Sequence, residues 1–230
     1  DEYRETAREF IDVLGDGRRI SYGALGIHWW KVIATGPPGH TLRGGLPNVN
    51  LGIARAVDRI LGLSQPAEFA DRTTRINIAM LQSGTVFNHK PPEGWFSLDI
   101  RSLDADIIAS IEADVQDILD AVSEETEISF RLEPDNLVPG GQIEGALESD
   151  FVRWSGHVSE RLGFEPSFSN TGSANLNIAI AEGTPAIGLG GSRGGERGYP
   201  GEWADINAMM RSAEYVALLA IALGSETPAP

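Results

Sequence analysis

Four histidines are the side chains of this 230-residue chain that are best suited to acid–base or metal chemistry. His40 lies in a Gly/Pro-rich segment, G-P-P-G-H-T, and His89 lies in N-H-K-P-P. Because loops carry function more often than cores do, His40 is the first candidate, with a plain turn residue as the alternative. His89 is interpreted as a solvated turn residue. His28, in a predicted strand, and His157, on a predicted helix, are interpreted as structural histidines.

The spacing of these residues excludes several common active sites. No two histidines stand four residues apart on one helix, so a helical zinc motif is absent. The chain has no cysteine, which excludes disulfides and thiolate zinc sites. No Ser/His/Asp triad can be placed, because Ser173 in T-G-S-A-N is not in a nucleophile elbow. The stretch G-G-S-R-G-G-E-R-G either cradles an anion through backbone N–H groups or is a flexible loop.

Composition and charge limit the partners. The net charge is −15, so nothing in the chain could neutralise a row of phosphates, and we expect no nucleic-acid partner. No apolar run approaches the length of a membrane span, and we expect no membrane partner. The first residues are charged, which does not resemble a signal peptide. Together with the absence of cysteine, this favours a cytoplasmic protein.

The elements of the first half predict a ferredoxin-like β-α-β-β-α-β unit, with four antiparallel strands and both helices on one face. In its third strand, Phe96, Leu98 and Ile100 alternate with Ser97, Asp99 and Arg101, as expected for a half-buried strand. Ser102 or Asp104 is expected to cap the helix that follows. The predicted strands are 26–36, 73–83, 94–101 and 126–133, and the predicted helices are 48–62 and 104–122.

The flanking segments have α/β character. Their strands are too few for an independent sheet, so we expect the partner strands to lie outside the chain. The predicted domains are the ferredoxin-like domain at 21–133 and a second domain made of 1–20 and 134–230. The predicted elements outside the ferredoxin-like domain are helices 3–14, 147–162, 174–182 and 205–223, a short strand at 167–170, a buried strand at 186–189 and a Gly-rich loop at 190–201.

Four segments, in this order, resemble motifs of one family. They are G-P-P-G-H-T-L-R-G-G-L-P-N-V-N, then Asn88 and Pro91 followed by L-D-I-R, then T-G-S-A-N-L-N-I-A-I-A-E-G-T-P-A-I, and G-G-S-R-G-G-E-R-G-Y-P-G-E-W. The family is that of aminoacylases, carboxypeptidase G, acetylornithine deacetylase and succinyl-diaminopimelate desuccinylase. In it a ferredoxin-like lid, which also makes the dimer, interrupts a two-zinc α/β catalytic domain. The resemblance runs from about residue 20 onward.

The resemblance implies roles for three residues. His40 matches the lid histidine that reaches the neighbouring subunit's active site and polarises the scissile carbonyl. Asn88 and Arg101 match the pair that holds the substrate carboxylate. An Arg fork suits a carboxylate, and a His donor suits a developing oxyanion. The expected partners are therefore a second copy of the chain, through strand 73–83 and helix 48–62, and a small peptide or N-acyl amino acid.

The departures from the family pattern concern zinc. Gly198 stands where the family has its last zinc-binding histidine, and Ser173 stands where it has an aspartate. The other family ligands precede the lid, and Asp12 or Asp16 is the nearest approximation to one of them. We therefore expect no metal site and no bound cofactor in this chain, although the family uses zinc. The predicted function is that of a zinc peptidase or amidohydrolase relative without activity of its own, and the alternative is a non-catalytic dimerisation or small-carboxylate-binding module.

Overall fold

The structure, a computed structural model, describes residues 6–63, 74–172 and 174–225. The chain divides into two compact units, Gly26–Pro139 and the pair of segments Asp1–Leu25 and Gly140–Pro230. We call the first the lid unit and the second the split unit. The predicted lid, 21–133, begins five residues before the lid unit begins and ends six residues before it ends.

The elements of both units follow in chain order. The strands are β1 Phe10–Val13, β2 Arg19–Ser21, β3 Gly23–Ala24, β4 Ile27–Thr35, β5 Gly39–His40, β6 Arg75–Asn77, β7 Leu81–Ser83, β8 His89–Lys90, β9 Glu93–Arg101, β10 Ser129–Val138, β11 Gly141–Gln142, β12 Ser167–Ser169, β13 Ala186–Gly190, β14 Gly194–Gly195 and β15 Trp203–Ala204. The helices are α1 Val49–Gly62, α2 Ala105–Thr126, α3 Asp150–Arg161, α4 Leu176–Ala181 and α5 Ile206–Ser225, with short 3-10 turns at Thr41–Arg43 and Ala146–Glu148.

The lid unit contains the predicted ferredoxin-like fold. Its sheet has the order β10-β4-β9-β6, with β7 also paired to β9, and all of these pairs are antiparallel. Alternate side chains of the central strands, among them Val32, Phe96 and Leu98, are buried with residues of α1 and α2 in one apolar cluster. Both helices therefore cover the same face of the sheet, and the α/β fold class is confirmed.

Side-chain caps fix the starts of the two lid helices. The Asn48 Oδ1 accepts the Asn50 N–H at 2.9 Å, and the Asp104 Oδ1 accepts the Asp106 N–H at 2.9 Å. These bonds satisfy donors that the first turn of a helix leaves without a backbone partner. Ser102, the other predicted cap, instead accepts the Asp104 N–H through its hydroxyl at 3.2 Å.

The prediction of one strand over 73–83 is wrong, because the segment forms two short strands, β6 and β7. The Ser97 hydroxyl of β9 accepts the backbone N–H groups of Ala79 at 3.2 Å and Met80 at 2.9 Å. A side chain thus replaces ladder hydrogen bonds at this point, and the edge strand is interrupted. Residue 73 lies outside the described residues.

The split unit contains a four-stranded sheet in the order β1-β13-β2-β12. Ile20, Ile187 and Leu189 point from this sheet into a core that α3 and α5 complete. Tyr215 of α5 is fully buried there, and its hydroxyl donates to the Ser155 carbonyl of α3. Burial raises the pKa of Tyr215, so the phenol stays neutral and keeps this donor.

The predicted helix over 3–14 is wrong in the described part. Residues 10–13 form β1, which pairs in parallel with β13, Phe10 opposite Ala186 and Val13 opposite Leu189. The apolar residues of this short segment fit a helical and an extended pattern equally well, and the pairing with a distant strand decides between them. Residues 3–5 lie outside the described residues. The remaining predicted helices and the buried strand are observed as α3, α4, α5 and β13.

Helix α5 departs from the expectation that no apolar run reaches the length of a membrane span. Within the described residues it is the one helix that is long and apolar enough to cross a membrane, with a mean hydropathy of 1.3 over 18 residues. Ala208, Tyr215 and Leu219 of this helix are buried, while Ile206 and Ile221 are exposed. A core helix passes the same test, so the expected absence of a membrane partner stays a prediction.

An ion pair between the two lid helices predicts a dependence of stability on pH. The guanidinium Nη2 of Arg59 lies 2.7 Å from Glu125 Oε1, and Arg55 Nη1 lies 3.1 Å from Oε2. The hydrogen bond from Arg59 lowers the pKa of Glu125. Such a carboxylate adds stability above its unfolded pKa of about 4.3, and this stability is lost as pH falls through the lower folded pKa.

We therefore expect Glu125→Gln to lower the melting temperature at neutral pH, and we expect the melting temperatures of variant and parent to converge in acid, below about pH 4. The matched control is Glu124→Gln, because Glu124 is exposed and has no ion-pair partner in the part of the chain that the structure describes. Thermal unfolding followed by circular dichroism measures both. If both variants lowered the melting temperature equally and at every pH, the stabilising role of the Glu125 ion pair would be contradicted.

Candidate functional site

His40 lies at the end of the lid sheet where β4 leaves it. The Gly/Pro segment after β4 leads into β5, and β5 pairs with β8 so that His40 stands opposite His89. The two imidazole rings are in edge-to-face contact, with their centroids 5.0 Å apart. His40 and His89 are therefore neighbours. The interpretation of His89 as a solvated turn residue is wrong, because His89 lies in a strand and contacts the His40 ring.

Asn88 joins the two histidines. Its side-chain amide lies between the rings, with one terminal atom 3.1 Å from His40 Nε2 and the other 3.0 Å from His89 Nδ1. The Asn88 carbonyl also accepts the Thr41 N–H at 3.0 Å, which ties β8 to the residue after His40. The structure thus brings His40 and Asn88 together, as predicted residues of one site.

The hydrogen bonds define which atoms carry protons. The Leu42 N–H donates to His40 Nδ1 at 3.1 Å, so Nδ1 has no proton and Nε2 carries it. The structure places Asn88 Nδ2 against His40 Nε2 and Asn88 Oδ1 against His89 Nδ1. Because Nδ2 cannot accept the Nε2–H, we assign the amide in the reverse orientation, with Oδ1 toward His40 and the NH₂ toward His89. His89 Nδ1 then accepts, and its proton is on Nε2. His40 is therefore prepared to donate from Nε2.

The surroundings of the pair are open and partly apolar. Leu42 is 90% exposed, and Phe87 is fully exposed. A cavity of about 500 Å³ opens beside His89, and its wall includes Asn48, Phe87 and Lys90. The Lys90 ammonium donates to the Leu46 carbonyl at 3.2 Å. The cavity therefore lies on the His89 side of the histidine pair, and Phe87 gives its wall an apolar part.

Arg101, the third predicted site residue, lies at the other end of β9. Its Nε donates to both carboxylate oxygens of Asp99, at 3.0 and 3.1 Å, and its guanidinium lies 6.0 Å from the Trp29 ring centroid. A bound carboxylate would compete with Asp99 for this nitrogen. The guanidinium is half-buried on the sheet face that the helices leave uncovered.

The structure does not bring Asn88 and Arg101 together within one chain. Asn88 precedes β8 and therefore lies before the start of β9, while Arg101 is the last residue of β9. At a rise of about 3.3 Å per residue, β9 from Glu93 to Arg101 alone spans about 26 Å. A single carboxylate cannot contact both residues of the same chain.

The other two histidines have structural partners, as predicted. His28 Nδ1 lies 2.6 Å from Glu112 Oε1, and the Trp30 indole N–H donates to the same oxygen at 2.8 Å. This contact fastens β4 to α2. His157 packs edge-to-face against Trp154 on α3, with ring centroids 5.7 Å apart.

The residues that could approximate zinc ligands in the split unit already have partners. Asp16 is buried, and it accepts hydrogen bonds from Arg18 Nε at 3.1 Å and from the Ser192 N–H at 3.2 Å. The hydrogen bond to Asp16 raises the pKa of Arg18. Asp12, also buried, accepts the Asn175 N–H at 3.0 Å. Both carboxylates are thus compensated by groups of the chain itself.

The described residues do not fit a catalytic zinc. Such a metal needs about three protein ligands, and the part of the chain that the structure describes holds no cluster of three His, Cys, Asp or Glu side chains. Gly198 has a φ of +77° and no side chain to offer. Ser173 lies outside the described residues. No step through zinc is derived for this chain, and the expected loss of metal stays a prediction.

The hydrogen-bond chain at the lid site predicts imidazole tautomers. At about pH 8, where imidazoles are neutral, we expect His40 and His89 to carry their protons on Nε2, whereas His28 carries its proton on Nδ1 against Glu112. Asn88→Ala should leave His40 unchanged, because Leu42 still donates to Nδ1, and should convert His89 into a mixture of tautomers. Long-range proton–nitrogen correlation spectra measure this, with His28 as the internal control. A proton on His40 Nδ1 in the parent would contradict the assignment.

The family comparison identifies the lid. Residues 22–127 match the model of the peptidase dimerisation domain. No protein of curated function matches the sequence. The matched segment contains all three predicted site residues.

Solved structures match nearly the whole chain. They include aminopeptidase PepT from Bacillus cereus, at 20% identity and a TM-score of 0.74, and a tripeptidase from Staphylococcus aureus, at 17% and 0.78. A hydantoinase/carbamoylase family amidase from Burkholderia multivorans matches at 18% and 0.70. The matches cover 95%, 95% and 94% of this chain but 58%, 57% and 54% of those proteins, so the chain spans little more than half their length. Residues 22–127 therefore match the peptidase dimerisation domain, and the fold of the chain is one found in solved peptidases and amidases.

Proposed function

We propose that this chain is the dimer-forming, substrate-binding part of a peptidase or amidohydrolase, and that it binds a small peptide or N-acyl amino acid without hydrolysing it by itself. The observation that carries the proposal is the hydrogen bond from the Leu42 N–H to His40 Nδ1, which assigns the proton of the neutral ring to Nε2, within the segment that matches the peptidase dimerisation domain. A donor with a fixed direction is what an amide carbonyl requires.

His40 is the group that would contact the scissile carbonyl. In the assigned amide orientation its Nε2–H donates to Asn88 Oδ1, and a substrate carbonyl oxygen could accept the same proton. Asn88 would then offer its amide to the substrate instead. Because the hydrogen bond polarises the carbonyl, it favours negative charge on that oxygen, which is the charge that develops during amide hydrolysis.

Arg101 is the group that would contact the substrate carboxylate, and this requires two chains. Since Asn88 and Arg101 lie at opposite ends of β9, one substrate can meet both only if they come from different subunits. A two-fold axis between two edge strands reverses the strand direction, so it places the Asn88 end of one lid at the same end as the partner's Arg101.

The edge formed by β6 and β7 is the proposed dimer surface, together with α1. Within the described residues, β6 and β7 pair with β9 on one side and have no strand on the other side. Met80 and Leu81 are about half exposed there, and Leu61 of α1 is partly exposed. An unpaired edge with apolar side chains favours pairing with a second sheet.

The non-catalytic part of the proposal rests on Asp16 and Arg18. A guanidinium beside the buried Asp16 supplies the positive charge that a metal would otherwise provide, and a metal would have to displace it. This contact favours a chain that binds its small-molecule ligand without zinc. The same contact suits the second candidate function, a dimerisation or carboxylate-binding module. A cytoplasmic location remains part of the proposal.

The dimer surface is tested by a charge at each edge of the lid sheet. We expect Leu81→Lys to convert the dimer to a monomer, because the lysine would have to be buried against the second copy. Leu137→Lys is the matched control, since Leu137 is equally exposed on β10 at the opposite edge. Size-exclusion chromatography with light scattering gives the mass. Loss of the dimer in both variants, or in neither, would exclude this edge as the interface.

Ligand binding and metal content test the site. For the parent we expect binding of an N-acetyl amino acid by calorimetry, zinc near background by metal mass spectrometry, and no zinc-dependent hydrolysis. Arg101→Ala should weaken binding about tenfold, because it removes a charge-assisted hydrogen bond. The control is Arg131→Ala, which removes an exposed arginine paired with Glu133. Stoichiometric zinc would overturn the non-catalytic part, and equal binding by both variants would overturn the role of Arg101.

A further inference from the structure

The sheet of the split unit has one apolar face and one polar face. Ile20, Ile187 and Leu189 point into the core, so their strand neighbours point to the other side. The register sets these neighbours in two rows across β13, β2 and β12. The rows are Gly190, Arg19 and Ser167, and Gly188, Ser21 and Ser169.

These two rows form the floor of a cavity of about 490 Å³. Two further arginines, Arg193 and Arg197, lie in its wall and come from the Gly-rich segment after β13. We call this cavity the arginine pocket. Backbone pairing of β14 with β15 fixes part of that segment, Gly194 opposite Ala204, so it is not the free loop that the composition allows.

The charge of the arginine pocket is the opposite of the charge of the chain. The chain has a net charge of −15, yet the lining contains three arginines and no acidic residue. Within the residues that the structure describes, none of these arginines has a carboxylate partner. The hydrogen bond found for them runs from Arg193 Nη1 to the Leu14 carbonyl at 3.3 Å. Three guanidinium groups without anions require a ligand or solvent to balance them.

Ser21 supplies a further hydrogen-bonding group to the arginine pocket. It is nine-tenths buried, it lies in the floor of the arginine pocket, and its hydroxyl has no hydrogen-bond partner among the described residues. Among the described residues, Ser83 has the fully enclosed hydroxyl without a partner, so the unpartnered Ser21 hydroxyl is accessible to solvent. The Ser169 hydroxyl beside it is already engaged, at 2.7 Å from the Thr171 hydroxyl. The hydroxyl of Ser21 is therefore available to an atom in the pocket.

The glycines of the floor keep the pocket deep. A Cβ at Gly190 would lie 3.4 Å from the side chain of Arg19, and a Cβ at Gly188 would lie 3.6 Å from that of Ser21. Side chains at these two positions would fill the space between the arginine and the serines. Small floor residues beneath three long cations leave room for a compact group that carries several acceptor atoms.

We infer that the arginine pocket binds a small molecule that carries a phosphate group. The charged lining groups, Arg19, Arg193 and Arg197, are donors only, and the hydroxyl of Ser21 can also donate. A phosphate offers three acceptor oxygens and up to two negative charges, and the guanidinium fork matches its geometry. A long polyanion is disfavoured, because the acidic chain around the pocket would repel its ends. This inference concerns the split unit and does not depend on the site in the lid unit.

Calorimetry on the whole chain tests the inference with sodium pyrophosphate as the probe. We expect binding of one pyrophosphate per chain, weakened about tenfold by Arg19→Gln and by Arg197→Gln, because each removes a charge-assisted contact. Arg161→Gln is the matched control, since it removes an exposed arginine of α3 in the same unit, and it should change the affinity less than about twofold.

Ser169→Asp tests the pocket without removing an arginine. The Ser169 hydroxyl accepts the Thr171 N–H at 3.1 Å, and an aspartate can accept the same bond, so the turn is retained while a negative charge enters the pocket. We expect this variant to lose pyrophosphate binding and to melt like the parent. Failure of the parent to bind pyrophosphate, equal binding by the arginine variants, or tighter binding of citrate than of pyrophosphate would overturn the inference. His40→Ala should leave pyrophosphate binding unchanged, which separates this test from that of the lid site.

Discussion

The pairing of β4 with β9 is the constraint on which the lid unit depends. These two strands pair over eight residues each, from His28 opposite Ile100 to Thr35 opposite Glu93. A shift by one residue would turn Phe96, Leu98 and Ile100 away from the helices and bury Asp99 and Arg101 instead. The register therefore fixes at once the apolar core, the end at which His40 and Asn88 meet, and the opposite end at which Arg101 lies.

The split unit depends on a different kind of contact. Its buried Asp16 is compensated inside the chain by Arg18 and by the Ser192 backbone, which joins the segment before the lid to the segment after it. Removing one partner of such a pair leaves a buried charge and destabilises strongly. The same geometry that holds the two segments together thus occupies the oxygens that a metal would need.

Much of the lid could be predicted from the sequence, because its elements carry regular patterns. The alternation in β9 and the apolar stripe of α2 each specify one element and its buried face. The split unit was harder, since its strands are short and its partners are distant. Phe10 becomes part of a strand only through Ala186, and no local pattern near Phe10 contains that information.

The candidate sites show the same difference between local patterns, which the sequence contains, and contacts between distant residues, which it does not. Resemblance identifies His40, Asn88 and Arg101, but their spacing in the sequence does not reveal that β9 separates Asn88 from Arg101. The sequence predicts a turn at His89, although its position next to Asn88 is the signal that could place it in the site. The arginine pocket could not be predicted, because Arg19 meets Arg193 and Arg197 only when β2 pairs with β13. Contacts between residues far apart in sequence are a property of the completed sheet.

The insertion of the lid unit into the split unit has a consequence for the order of folding. The lid is one continuous segment with mostly nearby pairings, whereas β1 and β2 must wait for β13, which is synthesised after the whole lid. Because pairings that close long loops form slowly, we expect the lid to fold on the ribosome while residues 6–25 remain unpaired. Those residues include Asp16, Arg18 and Arg19. The last step of folding therefore creates the buried ion pair and the arginine pocket together.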